Sequence, residues 1–186
     1  QQFEQFRRAI VEAAGAENPC AFVAFEDFPK LESVGCLFIP VPNISGDAWV
    51  RRTHGNRSYS ICGVTHTTAT EKIMDSLVAL LIDPVQSWDA VVCTSTVVKK
   101  TVERVTGAYS DYLEERLGVR SSLPVQLPVI PLGVDCSLFA PAEAEDWRGE
   151  WRNKLGLTDE DVVVLYLGRL SFTTKAHPLP MFLALD

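Results

Sequence analysis

Two cations near the carboxyl end of the chain have the residue types and spacing to hold a phosphate group. Arg169 follows a buried-strand pattern and a glycine, and Lys175 comes six positions later, beyond Ser171, Thr173 and Thr174. A guanidinium offers a planar fork of donors and an ammonium a compact point charge, so the pair suits a diphosphate. If that diphosphate leaves in a reaction, the two charges stabilise it as negative charge builds. The same residues also fit a plainer description, two solvated cations after a strand. A histidine is the second candidate. His66 stands in Gly63-Val64-Thr65-His66-Thr67, just past another strand pattern, and no large apolar residue follows until Ile73. There an imidazole can hydrogen-bond a sugar hydroxyl or shuttle a proton. It can equally tie a loop to backbone carbonyls.

Other polar groups carry less. Glu26 and Asp27 fit an acid/base pair or a ribose contact by residue type, but adjacent side chains on an extended segment point to opposite faces, which favours solvated strand-end charges. Thr94 and Ser95 read as a helix cap. Gly133-Val134-Asp135 reads as a turn in which the glycine supplies an unusual dihedral. Asp159-Glu160-Asp161 is a D-x-D triplet that precedes its strand and so lies at the sheet end away from ligands. Cys62, His54 and His66 lack zinc-ligand spacing, so no metal site is expected. His54 and His177 have no supporting constellation. There is no G-x-S-x-G, P-loop or G-x-G-x-x-G pattern.

Alternating helical and strand patterns position these groups. Residues 3–14 read as an amphipathic helix, and 20–25 as a buried strand. Residues 28–57, punctuated by Pro29, Pro40, Pro42 and Gly46, read as extended segments and loops. A strand is predicted over 59–64, a helix over 71–82 and a strand over 88–93. Helices are predicted from Ser95 to about 105 and over 111–117, the second closing at Gly118. A short strand at 127–131 leads to an Ala-, Pro- and acid-rich linker at 139–146. A helix over 147–155, a strong strand over 161–167 and a helix from 180 complete the pattern. Strands separated by helices imply parallel pairing in an α/β layered sheet, with ligands beyond the carboxyl ends of the strands.

Composition sets the outer bounds. The chain has 186 residues and a formal net charge of -7, with 47% hydrophobic and 22% charged residues. That suits a globular domain plus part of another. The acidic balance argues against a nucleic-acid partner, which needs clustered Lys and Arg. The five cysteines form no C-x-x-C pair, and two of them sit in apolar runs, which suits a reducing cytosol better than a disulfide framework. No apolar run approaches the ~20 residues that span a bilayer. The start at Gln1-Gln2 and the stop at Asp186, inside a predicted helix, suggest a piece of a longer protein.

Taken in order, four segments resemble the retaining glycosyltransferases of family 4, the group 1 glycosyl transferases. Gly63-Val64-Thr65-His66-Thr67 is similar to the first-domain strand end that carries that family's active-site histidine. Trp88-Asp89-Ala90-Val91-Val92-Cys93-Thr94-Ser95 resembles the later strand that ends in serine. Ile130-Pro131-Leu132-Gly133-Val134-Asp135 with Phe139 resembles the family's N-G-V-D and downstream F at the domain junction, with Leu132 in place of Asn. Leu165-Tyr166-Leu167-Gly168-Arg169-Leu170 followed by Lys175 resembles the G-R-L…K-G segment that opens the second domain, with Ala176 in place of Gly.

The resemblance implies the GT-B fold of two Rossmann-like domains. It places an incomplete first domain at 1–138, a linker and helix at 139–160 and the start of a nucleotide-sugar-binding domain at 161–186. It implies His66 as the catalytic residue and Arg169 with Lys175 as the donor diphosphate site, supported by Gly63, Thr67, Ser95 and Gly168. The donor is a nucleotide-diphosphate sugar, a co-substrate rather than a cofactor. The acceptor is a sugar, lipid or polysaccharide hydroxyl, attacked with retention. No metal is implied, because the two cations take its place. The family's glycine-rich loop and E-x7-E segment are not in these residues, so a complete donor site is not expected of them alone. A cytoplasmic protein is expected. Peripheral membrane contact is common in the family, although no basic amphipathic helix supports it here. Two other readings stand beside this one: a non-catalytic α/β remnant that binds a nucleotide or a partner, and a GT-B nucleotide-sugar epimerase.

Overall fold

Pairing, and not apolar content alone, decides which runs become strands. The computed structural model describes residues 2–15, 21–24, 26–139, 147–168 and 177–185. In chain order the elements are α1 (Gln2–Ala14), α2 (Phe28–Val34), β1 (Cys36–Ile39), α3 (Ser45–His54), β2 (Ser60–Val64), α4 (Glu71–Ala79), β3 (Ala90–Val92) and α5 (Thr96–Leu117). A 3-10 turn (Cys136–Phe139), α6 (Trp147–Leu155) and α7 (Leu179–Leu185) follow. The residues group into two compact units, Gln1–Pro131 and Leu132–Asp186.

The first unit holds a parallel sheet in the order β1-β2-β3. Phe38 pairs with Cys62, and Val64 with Val92. A further extended segment continues the sheet through single parallel bridges, Ala90 to Gln126 and Cys93 to Val129. Parallel neighbours need a crossover. Here α3, α4 and α5 supply one each, which makes the class α/β. Ile44, Ala48, Tyr59, Ile61, Leu77, Leu80, Val91, Cys93, Val102 and Val125 form one buried cluster. Within β2, Ile61 is fully buried while its neighbours Ser60 and Cys62 are half-buried, the period of two that a strand imposes.

A buried ion pair ties these layers together. Arg51 of α3 and Asp89, just before β3, are both fully buried. They meet in a fork of two bonds, 2.6 Å and 2.7 Å. Arg51 also donates to the carbonyls of Tyr59 and Pro84. Asp89 accepts from the backbone N–H groups of Ile61 and Gln86. One pair thus fixes α3, β2, β3 and the turn between α4 and β3.

Several predicted elements differ. Residues 28–57 hold one extended segment in the sheet, β1, but also two unexpected helices, α2 and α3. Pro29 falls in the first turn of α2, where a missing N–H costs nothing. Residues 21–24 form no strand, and Phe22 is exposed; Cys20 and Phe25 lie outside the described residues. The two helices predicted after Ser95 are one, α5, because buried Val102, Thr106, Ser110 and Leu113 continue a single face past Gly107. That helix stops at Gly118, whose φ of 68° is the left-handed cap conformation. Residues 161–167 form no strand either. Val162, Leu165 and Leu167 are exposed, and the described residues of this unit contain no strand to pair with them. Among the described residues no helix is long and apolar enough to cross a membrane.

Candidate functional site

The carboxyl end of the sheet is built outward from β2. Gly63 lies under the 41–44 loop, where an added Cβ would come within 2.8 Å of Ile44 Cγ2 and of the Val41 carbonyl oxygen. Val64 donates its N–H to that same Val41 carbonyl. Thr65 is fully buried. Its N–H donates to the Val92 carbonyl at 2.9 Å, and its hydroxyl donates to the same oxygen at 3.1 Å. These bonds extend the β2–β3 register by one residue and deliver His66, exposed, as the first side chain to leave the sheet. Thr67 is also exposed, and its hydroxyl oxygen accepts from the Ala69 N–H at 3.2 Å, which turns the chain toward α4.

Three residues beyond the end of the neighbouring β3, Ser95 caps α5 by accepting the Val98 N–H at 3.1 Å. A helix N-terminus carries a partial positive charge of about half an elementary unit. The first turn of α5 contains no acid to offset it. Lys99, one turn into α5, lies 3.9 Å from Glu103 on its own helix. Continuing the register from Val64 and Val92 brings His66 and the start of α5 to the same end of adjacent strands. An exposed imidazole at this end can hydrogen-bond a hydroxylated ligand, and the partly positive start of α5 on the adjoining strand favours an anionic group.

Arg169 and Lys175 lie outside the described residues. Gly168 is exposed in the unit Leu132–Asp186, where an added Cβ would come within 2.9 Å of the Tyr166 hydroxyl. Asp27 pairs with Lys30 at 2.8 Å, and that bond holds its carboxyl below the usual range. Glu26 and Asp27 therefore belong to the entry of α2 rather than to a shared acid/base site. Asp161 accepts the Thr158 N–H and hydroxyl at 2.6 Å and 2.8 Å, so the acidic triplet is a turn. Gly133 does not take a positive φ. The turn there is instead held by Asp135, which accepts the N–H and hydroxyl of Ser137. Burial pushes the Cys62 thiol up, away from the thiolate a metal would need. No group of three or more His, Cys, Asp or Glu among the described residues is arranged to hold a metal ion.

Sequence reasoning missed the Arg51–Asp89 pair. Its one visible signal was a carboxylate opening an apolar strand, Trp88-Asp89-Ala90-Val91-Val92, which has to find a counter-charge once buried. The partner, on a helix that was not anticipated, left no local trace. Comparison of the chain with protein-family models, with curated proteins and with solved structures gives no match.

Proposed function

We propose that these residues belong to a retaining, metal-independent glycosyltransferase of the family-4 type, with Rossmann-like domains and a cytoplasmic site of action. The observation that supports this reading best is the position of His66, exposed at the carboxyl end of a parallel α/β sheet, just past the strand that adjoins the one leading into α5. Ligands of such sheets sit at that end. In this reading a nucleotide-diphosphate sugar is held through its diphosphate by Arg169 and Lys175. His66 hydrogen-bonds the transferring sugar or its phosphate. The bond between the sugar's anomeric carbon and the phosphate oxygen breaks as the acceptor oxygen bonds to that carbon from the same face, and the acceptor's proton passes to the departing diphosphate. The two cations stabilise the departing diphosphate.

The test is sugar transfer from a panel of nucleotide-diphosphate sugars by the polypeptide that carries this chain. His66→Ala, Arg169→Ala and Lys175→Ala are each expected to lower the rate by about 10²–10³-fold with an unchanged thermal midpoint. Wild-type rates in both cation variants would overturn the reading. Product masses decide the other two cases. A rearranged donor with no acceptor adduct identifies an epimerase, and nucleotide binding without any product identifies a binding module.

A further inference from the structure

We draw no further inference here: the strongest candidate, the groove of about 500 Å3 between α5 and residues 120–127, is a small-residue helix face at Thr106, Gly107 and Ser110 whose flanking cations Lys99 and Arg120 already pair with Glu103 and Glu114, and nothing in the structure shows what covers it.

Discussion

At Gly63 a single carbon separates a working strand end from a clash. The 2.8 Å approach to both Ile44 Cγ2 and the Val41 carbonyl involves a backbone atom that cannot swing away. Gly63→Ala is expected to destabilise the protein by about 1–3 kcal/mol, the usual range for overpacking, measured by urea denaturation. An unchanged midpoint would mean that the 41–44 loop yields freely and does not brace β2. Asp47, in the first turn of α3, offers a second test. Burial pushes its carboxyl above the usual range, against a weaker opposing hydrogen bond from its own backbone. The folded protein thus holds that proton more tightly than the unfolded chain does. The resulting stabilisation is fully present below the unfolded pKa and is lost as pH rises through the folded value. Asp47→Asn removes this dependence, so the variant should gain stability relative to the parent between about pH 3 and 7. Urea midpoints taken across that range check it, and a parent–variant difference that stays flat with pH would refute it.

The elements divide by whether their signals are local. Ser95 as the cap of α5, Gly118 as its end and the apolar face of α4 were legible because each depends on neighbours within a turn or two. The exposed place of His66 just past β2 was legible for the same reason, since the strand pattern before it ends at Val64. α2 and α3 were hidden by prolines and a glycine that read as breakers, although Pro29 and Gly46 both sit in first turns, where they are tolerated. The run at 161–167 misled in the opposite way. Its β-branched content is a property of the segment, whereas a strand is a property of a pair. α5 supplies the prediction at this scale. Gly107 sits mid-helix with no atom within 4 Å of an added Cβ. Gly107→Ala should therefore raise stability by about 1 kcal/mol, seen as a higher midpoint in thermal or urea unfolding. A loss of stability would show that the backbone there departs from regular helix.

In the unit Gln1–Pro131, Arg51 with Asp89 is the ion pair among the described residues whose two side chains are both fully buried. Its four further hydrogen bonds satisfy much of the charge that burial strips of water, while the Nε of Arg51 is buried with no hydrogen-bond partner. Arg51→Met leaves the carboxylate buried and unpaired, at a cost of about 3–5 kcal/mol. That is a large part of the ~5–15 kcal/mol that holds an ordinary domain together. The double variant Arg51→Met/Asp89→Leu should recover much of the loss, since it removes the stranded charge. Equal losses in the single and double variants, by denaturant titration, would place the energy in packing instead.

The same sheet has a kinetic side. Each of its neighbouring strands is joined by a crossover, so none can find its partner across a tight turn. α5 can begin to wind early from contacts along its own length, but β2 must wait for partners that arrive from both directions in the chain. Until they do, Ile61 and Val91 have no cover. Assembly of this topology is slow because distant segments must meet before any ladder rewards them. The period of greatest risk for the protein is therefore its synthesis or refolding, when other nascent chains compete for β2, the strand that β1 and β3 will later enclose.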